Sequence, residues 1–391
     1  MTKHAAQDRP DPQGAVARGD RHIVVVVPTG YPDGLAEAEG IGRGLAEAGV
    51  PTTVVCSRLT GAPHGRGPEP QVVEVPSPMR GVADGVRFAR AVASVLRTLE
   101  PALVHVYAFR GCGVLPRLAP GPRYLYDLRT GNVSGKPWAS LADRLSCWEA
   151  LPYRGRAIIS RAVGRRVCGN RWDDAVVFPL GFSGSDAAGA RVVVERRRGA
   201  AEPEPVRIGF VGGLQPQRHL DRILLVARAL RDRGWAGEWI VVGDGADRPR
   251  LEGLAHKLGL SSAMAFRGAV PHHALWQQYA AMDVALAYVP SVPEYYHQPP
   301  LKTIEAMACG LPVVATDTAG NREFIHSGRD GLLARDDTEA LARALEELTR
   351  DPATRDRLGR AAAERAQPYA WERIVADTVL PAYDHLLRTN G

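Results

Sequence analysis

His297, Lys302 and Glu305 lie close together in a segment that runs from a proline-rich loop to an apolar stretch ending at Thr316. The segment predicts a loop, a short helix, a glycine turn and a buried strand, a ligand-binding βα arrangement. With Glu305 at the helix start, its carboxylate can accept hydrogen bonds from a pair of sugar hydroxyls, while free amides nearby favour a diphosphate. This chemistry indicates a nucleotide-sugar site; the alternative for Glu305 is an ordinary acid stabilised by the helix dipole.

A second candidate phosphate site follows the apolar run 206–211. Gly212 and Gly213 begin a turn that leads into a helix with one apolar face, and a strand, glycine turn and helix together form a phosphate cradle. Arg218 lies at the start of that helix. A cation is mildly unfavourable there because of the helix dipole, which favours a ligand contact over a solvated charge.

The two segments resemble the retaining, two-domain glycosyltransferases of family 4, which share the GT-B fold. The family signature is a glutamate, seven residues, a second glutamate and then Ala-Met-Ala-x-Gly-x-Pro-Val-Val-Ala; this chain keeps Glu305 and the tail but has His297 at the first position. By position, the resemblance implies that Glu305 contacts the donor ribose and that His297 stands where a sugar contact is expected. It also implies that Gly213 replaces a phosphate-binding arginine and Arg218 a lysine, while Lys302, in the preceding loop, is placed to supply the missing cation.

The resemblance implies a retaining transfer of sugar from a nucleoside diphosphate sugar, a UDP-sugar, to a small-molecule acceptor such as a secondary metabolite, or to a lipid-linked acceptor. No other cofactor and no metal are expected, because Arg218, Lys302 and the turn amides would stabilise the leaving diphosphate. In this family the leaving phosphate takes the acceptor proton, so no nucleophile is assigned, and the catalytic candidates are Arg218, Lys302 and Asp127. The expected donor-binding residues are Gly30, Gly34, Gly212, Gly213, Arg218, Gly243, Gly268, His297, Pro300, Leu301, Lys302 and Glu305.

The N-terminal half is expected to bind the acceptor. Strand patterns at 104–107 and 124–128 run into polar loops. Ligands bind beyond the carboxyl ends of strands in open parallel sheets, which places Tyr107, Asp127 and Arg129 at the edge of a cleft as acceptor-binding candidates. An internal ion pair between Asp127 and Arg129 fits the pattern equally well.

Strands alternate with helices along the chain, which predicts the α/β class with doubly wound parallel sheets. The GT-B resemblance implies two Rossmann-like domains that face a central cleft. The predicted parts are a disordered tail at 1–20, an acceptor-binding domain at 21–182, a linker at 183–205, a donor-binding domain at 206–368 and a C-terminal helix at 369–391 that packs back on the first domain. In the first domain, Gly30 and Gly34 lie in a predicted loop, as donor contacts or as plain turn residues.

Composition indicates an ordered globular enzyme, with a net charge of +6 and 45% hydrophobic residues. The five cysteines show no metal-binding spacing and are expected to be reduced thiols in a cytoplasm. No segment reaches the ~20 apolar residues of a membrane span, and nucleic acid is not an expected partner. The arginine-rich segment 153–171 predicts a basic amphipathic helix, which fits a solvated face better than weak contact with an anionic membrane. No pattern indicates an oligomeric state.

Two other functions are compatible with the sequence. A nucleotide-sugar epimerase on the same fold would need acid and base carboxylates around the sugar and no acceptor pocket. A noncatalytic nucleotide-sugar-binding partner is suggested by the missing arginine at Gly213 and the missing glutamate at His297. Product analysis separates the three, as transfer, isomerised donor or binding without turnover.

Overall fold

Two parallel sheets organise the protein, whose computed structural model describes residues 21–32, 35–60, 68–132, 139–199 and 205–389. The predicted tail and Gly34 lie outside these residues. Each sheet is covered by helices, as the predicted α/β class requires.

The N-terminal sheet consists of the strands β1 (Ile23–Tyr31), β2 (Thr52–Leu59), β3 (Gln71–Glu74), β4 (Leu103–Tyr107), β5 (Arg123–Leu128), β6 (Gly155–Ile158) and β7 (Val176–Val177). Their order across the sheet is β3-β2-β1-β4-β5-β6-β7. Its helices are α1 (Ala36–Glu47), α2 (Val82–Leu99), α3 (Leu115–Leu118), α4 (Ala139–Glu149) and α5 (Arg161–Cys168). The apolar run of β1 is almost fully buried, because helices cover a parallel sheet on both faces.

The C-terminal sheet consists of the strands β8 (Arg207–Val211), β9 (Glu238–Val242), β10 (Met264–Gly268), β11 (Val284–Ala287), β12 (Val313–Thr316) and β13 (Leu332–Ala334). Their order is β10-β9-β8-β11-β12-β13. The helices of this half are α6 (Gly184–Arg198), α7 (Asp221–Asp232), α8 (Arg248–Lys257), α9 (Leu275–Ala280), α10 (Pro293–Tyr296), α11 (Leu301–Ala308), α12 (Ala319–Arg322), α13 (Thr338–Arg350) and α14 (Pro352–Ala366). The strand order reverses between β8 and β11, and ligands bind at such a switch point in open α/β sheets.

Most of the segment predicted to be a linker, 183–205, is the helix α6. Ser183 caps this helix by accepting a hydrogen bond from the amide of Asp186. The alanines and the glutamate-arginine run that were interpreted as linker composition are good helix formers. The helix packs against α9 and α11, and Arg197 pairs with Asp283 at 2.7 Å, so α6 belongs to the C-terminal half.

The chain ends in helical segments that pack on the N-terminal sheet: α15 (Trp371–Ile374), a π-helical stretch (Val375–Val379) and α16 (Leu380–Arg388). Side chains of all three segments share one buried cluster with β1 and α1. The amide of Trp371 donates to the carbonyl of Phe182 at 3.0 Å. The helical segments at the end of the chain therefore cover part of the N-terminal sheet.

Two expectations for the N-terminal half are wrong. The segment 153–171 is not one helix, since it holds the strand β6 and then the short helix α5. Cys147 and Cys168 are not free thiols, because they form a disulfide between α4 and α5, with a Cα separation of 6.1 Å. The two cysteines pair because α4 packs against α5. The spacing of the cysteines in the sequence does not show this packing. Cys56, Cys112 and Cys309 are free and buried.

None of the helices in the described ranges combines the length and the apolar character that a membrane span requires.

Candidate donor-binding site

A cavity of about 330 Å³ lies at the switch point of the C-terminal sheet, beyond the ends of β8 and β11. Six of the predicted site residues line it together: Gly212, Arg218, Pro300, Leu301, Lys302 and Glu305. The turn after β8 and the first turns of α11 form its walls, as expected for a ligand site between a strand end and a helix start. Their role in donor binding stays a prediction.

Glu305 has both carboxylate oxygens hydrogen-bonded within the protein. The Nε2 atom of His272 lies 2.9 Å from Oε1, and the hydroxyl of Tyr279 donates to Oε2 at 2.9 Å. The side chain is only 2% exposed. Glu305 lies in the second turn of α11 rather than at the helix start, because the helix already begins at Leu301. The carboxylate is therefore fixed mainly by side chains and not by the helix dipole.

His272 is partly exposed, lines the cavity and lies beside the carboxylate of Glu305. Burial by itself would lower the pKa of His272, but the hydrogen bond and the charge of Glu305 outweigh it, with smaller help from Glu39 and Asp186, so that the pKa is raised. The two side chains are thus an ion pair over a wider range of pH than an isolated histidine would allow.

Lys302 is the second residue of α11, not part of the preceding loop. Its ammonium donates to the carbonyl of Tyr288 at 2.9 Å and lies 4.4 Å from the centre of the Phe210 ring. Burial and then the charge of Arg218 lower the pKa of Lys302 to about 7, although Glu305 opposes them. An anion in the cavity would therefore favour the charged form of this side chain.

Arg218 ends a short 3₁₀ helix, Pro216–Arg218, at the far side of the glycine turn. Its guanidinium lies 4.2 Å from the centre of the Tyr295 ring, a cation–π contact. Since both Arg218 and Lys302 line the cavity, two cationic side chains face one small volume. Such a pair is suited to a diphosphate.

Three of the glycines predicted to bind the donor, Gly213, Gly243 and Gly268, do not line the cavity. They form the glycine turn or lie beside it. Gly243 has φ +134°, and a Cβ there would lie 2.0 Å from the carbonyl oxygen of Gly212. Its amide donates to the carbonyl of Gly268 at 2.8 Å. Gly213 is exposed beside the cavity. Gly212 itself contacts Lys302, because a Cβ would lie 3.1 Å from the ammonium nitrogen.

The structure does not bring Gly30 or His297 to this cavity. Gly30 lies in β1, paired with β2 after a register shift, and its Cα faces the side chain of Thr60; the strand is longer than its apolar run suggested. His297 packs edge-on against Tyr296, and its Nδ1 is buried without a hydrogen-bond partner in the described part of the chain. Its neighbour Gln298 lines the cavity instead.

Tyr107, Asp127 and Arg129 are buried and do not line the cavity, although the backbone of Arg129 contacts the cavity residue Gln298. Their role in acceptor binding stays a prediction. Asp127 is fully buried, and its Oδ2 lies 3.0 Å from Nε2 of His105 and 3.5 Å from Arg129. Tyr107 stacks on His105, and Arg129 donates to the carbonyl of Phe178 at 2.6 Å. The structure therefore contains the internal ion pair between Asp127 and Arg129 that the sequence also allowed. Strand ends near the centre of a sheet can be covered by helices.

Four residues of the site were not predicted from the sequence. His272, Tyr295 and Gln298 line the cavity, and Tyr279 hydrogen-bonds Glu305 without lining it. His272 follows β10 by a few residues, so the rule that ligands bind beyond strand ends could have found it. Tyr279 lies within the apolar face of α9, where only the fold shows that its hydroxyl reaches Glu305. Gln298 also donates to the backbone carbonyl of Arg129 at 3.2 Å, which joins the cavity wall to the N-terminal domain.

No three His, Cys, Asp or Glu side chains within the described ranges are grouped so that they could hold a metal ion.

The chain is similar in sequence to glycosyl transferases. A family model described as "Glycosyl transferases group 1" matches residues 205–351. A GDP-mannose-dependent alpha-mannosyltransferase of Mycolicibacterium smegmatis is 30% identical over 382 residues, 94% of this chain and 89% of the relative. A D-inositol 3-phosphate glycosyltransferase of Kribbella flavida is 34% identical over 212 residues, 52% of this chain and 47% of the relative. The chain thus spans about half the length of the curated relatives of this second kind.

Among solved structures, Anabaena Alr3699/HepE in complex with UDP-glucose matches with a TM-score of 0.72 at 19% identity, over 93% of this chain and 99% of that one. The likeness extends over both sheets and confirms the predicted two-domain GT-B architecture.

Proposed function

Because the chain belongs to the group 1 glycosyl transferases, we propose that it moves a sugar from a nucleoside diphosphate sugar to an acceptor hydroxyl. The observation that carries the proposal is the meeting of Arg218, Lys302 and Glu305 at one cavity. Two cations suit the diphosphate, and a fixed carboxylate suits the ribose hydroxyls. Each of the three sits on an element that the C-terminal sheet positions.

In the proposed reaction, Arg218 and Lys302 stabilise the negative charge that develops on the leaving diphosphate. Both side chains lie within a cavity walled by protein, where such charges interact more strongly than in water. The proposal therefore needs no divalent metal. Retention of configuration, with the leaving phosphate accepting the acceptor proton, follows from the family resemblance and is proposed on that ground.

The proposed donor is a UDP-sugar, and the UDP-glucose in the structure of Alr3699/HepE supports the choice. GDP-mannose is the second candidate. It is favoured by the mannosyltransferase relative, whose likeness runs over 94% of this chain. Both donors carry a diphosphate, so both are compatible with the same cation pair.

The proposed acceptor is a small molecule or a lipid-linked molecule, and the proposed location is the cytoplasm. The inositol 3-phosphate named for the Kribbella relative provides a small-molecule probe. Since the side chains of Tyr107, Asp127 and Arg129 are buried, further acceptor contacts are proposed among exposed groups beside the cavity.

Product analysis tests the proposal. The protein is incubated with UDP-glucose or GDP-mannose and with a set of acceptors that includes inositol 3-phosphate, and products are identified by mass spectrometry and by NMR of the anomeric proton. We expect a glycosylated acceptor with the anomeric configuration of the donor, and a turnover lower by roughly two orders of magnitude or more in Arg218→Ala. An isomerised donor would indicate an epimerase, and tight nucleotide binding without product from any donor and acceptor would indicate a noncatalytic partner.

A further inference from the structure

An apolar stripe lies exposed on the N-terminal domain, far along the chain from the cavity residues. It consists of Leu141, Leu145, Trp148 and Leu151, which are 57%, 40%, 68% and 70% exposed. The first three recur at helical spacing on α4, so they share one face, and Leu151 follows in the turn after the helix. We call these four residues the α4 stripe. Single exposed leucines are ordinary, whereas a contiguous stripe marks an interaction surface.

Beside the α4 stripe runs a groove of about 840 Å³ between α4 and the segment after α5. Arg144 and Arg171 line it, and none of the groove residues is acidic. Among the described residues, neither arginine side chain has an ion-pair or hydrogen-bond partner, so no ion pair neutralises their charge. The disulfide between Cys147 and Cys168 joins the two walls of the groove.

We propose that the α4 stripe and its two arginines dock the protein on an anionic lipid surface. Leucine and tryptophan side chains enter the boundary between head groups and acyl chains, and tryptophan is enriched at that depth. Arginines beside them meet the phosphates of anionic lipids. Arg144 lies on α4 beside the stripe, and Arg171 lines the groove from the segment after α5. A surface that is apolar with basic side chains beside it fits a charged bilayer better than a neutral one.

A second copy of the chain is a weaker occupant. Stable dimers bury ~800 Å² per subunit, of which four side chains supply only a part, and two copies of the stripe would bring the unpaired arginines of both copies together. Like charges at an interface oppose association, whereas a lipid surface supplies the opposite charge.

The helix α5, which packs against α4, also contacts the C-terminal half. Arg166 donates to the carbonyl of Asn132, at 2.9 Å, and to that of Glu294, at 3.1 Å. Asn132 lies in the chain that leads towards α4, and Glu294 is next to Tyr295 of the donor cavity. The inference itself does not depend on sugar transfer, because lipid binding is measured without any donor.

Vesicle co-sedimentation of the full chain tests this inference. Vesicles of phosphatidylglycerol and phosphatidylcholine are compared with pure phosphatidylcholine, at low and high salt. We expect binding to the anionic vesicles only, weakened by salt. The double variant Leu145→Ser, Trp148→Ser should bind at least about tenfold more weakly, because two large apolar side chains no longer enter the bilayer. Arg144→Gln with Arg171→Gln should lose the preference for anionic lipid.

The matched control is Val192→Ser with Val193→Ser, two exposed apolar residues on α6 that are 45% and 43% exposed, and it should bind as the unaltered protein does. Trp148→Phe should retain binding but lose the blue shift of fluorescence that vesicles induce. The inference is overturned if the unaltered protein does not sediment with anionic vesicles, or if the control loses binding equally. It is also overturned if sedimentation velocity shows a dimer that the Leu145 and Trp148 substitutions dissociate.

Discussion

At the scale of single residues, the carboxylate of Glu305 is the most constrained group of the candidate site. His272 and Tyr279 each hold one oxygen, at 2.9 Å. A carboxylate offers about four acceptor positions, so two hydroxyls of a ribose can still bind beside these partners. The protein groups fix the orientation of the carboxylate, and the ribose would meet an acceptor that is already in place.

The first prediction concerns the ion pair of His272 with Glu305. Glu305→Gln removes the charge that raises the pKa of His272, so the pKa of His272 should fall in an NMR titration. Donor binding should weaken by about 1 to 3 kcal/mol for each ribose hydrogen bond, since bonds to charged groups are the stronger ones. Tyr279→Phe removes the other bond but no charge, and it should leave the titration of His272 nearly unchanged. An unaltered His272 in Glu305→Gln would show that the pair does not exist in solution.

The second prediction concerns Lys302, whose pKa is lowered to about 7. The ammonium form binds a diphosphate better, so binding raises the pKa, and affinity is full below about pH 7 and declines as pH rises above it. Between pH 7 and 9 the affinity for UDP should fall by up to about tenfold per unit until the pKa of the bound state is reached. Calorimetric titration with UDP at several pH values between 7 and 9 measures this affinity.

Lys302→Arg is the control for this pH dependence, because a guanidinium stays charged throughout the range. Its affinity for UDP should vary much less with pH. An equal decline in the variant and in the unaltered protein would assign the pH dependence to another group.

At the scale of elements, the glycine turn after β8 depends on the neighbouring turn after β9. Gly243 lies so close to the carbonyl of Gly212 that no side chain fits between them. Its φ of +134° is also one that residues with a Cβ rarely adopt. The two turns therefore support each other, and the turn at Gly212 positions the chain next to Lys302.

The third prediction is that Gly243→Ala disturbs both turns. We expect a loss of roughly 2 kcal/mol or more in the free energy of unfolding, from steric overlap and backbone strain, together with weaker nucleotide binding. Gly253→Ala is the matched control: it lies in the helix α8 with no atom near a new Cβ. This control should be stabilised by up to about 1 kcal/mol. Chemical denaturation of both variants measures the difference, and equal stabilities would contradict the account.

The elements could be predicted from the sequence where apolar runs and glycine turns coincide. The run at 206–211 and the signature from Glu305 onward predicted β8, α11 and β12, and these elements bring Arg218, Lys302 and Glu305 together. Contacts between distant segments could not be predicted in the same way. The hydrogen bonds of His272 and Tyr279 to Glu305, and the packing of α6 against α9 and α11, join segments that are far apart in the sequence, so no local pattern shows them.

At the scale of the whole molecule, the end of the chain ties the two halves together. Trp371 packs against Gly40 in α1 and Gly181 near the domain boundary, and a Cβ at either glycine would overlap its ring. The segment that follows the C-terminal domain thus completes the cover of the N-terminal sheet. The chain thus returns from the C-terminal domain to the N-terminal domain, and the returning segment contributes to the core of the N-terminal domain.

The fourth prediction is that Trp371→Ala destabilises the N-terminal domain by about 3 to 5 kcal/mol, the range for removing a large buried aromatic side chain. Thermal unfolding followed by circular dichroism should show a lower midpoint, whereas Arg373→Ala, at an exposed position of the same helix, should leave it nearly unchanged. A midpoint unaffected by Trp371→Ala would show that the C-terminal segment does not hold the domain.

The most direct test of the donor site is calorimetric titration of UDP and GDP in the presence of a chelator. At least one nucleotide should bind without metal, and Arg218→Ala should weaken that binding by about tenfold or more, the loss expected for a charge-assisted contact. Arg228→Ala, at an exposed arginine of α7 paired with Asp232, should bind as the unaltered protein does. Binding that requires a divalent metal, or that is the same in Arg218→Ala as in the unaltered protein, would contradict the cationic diphosphate site.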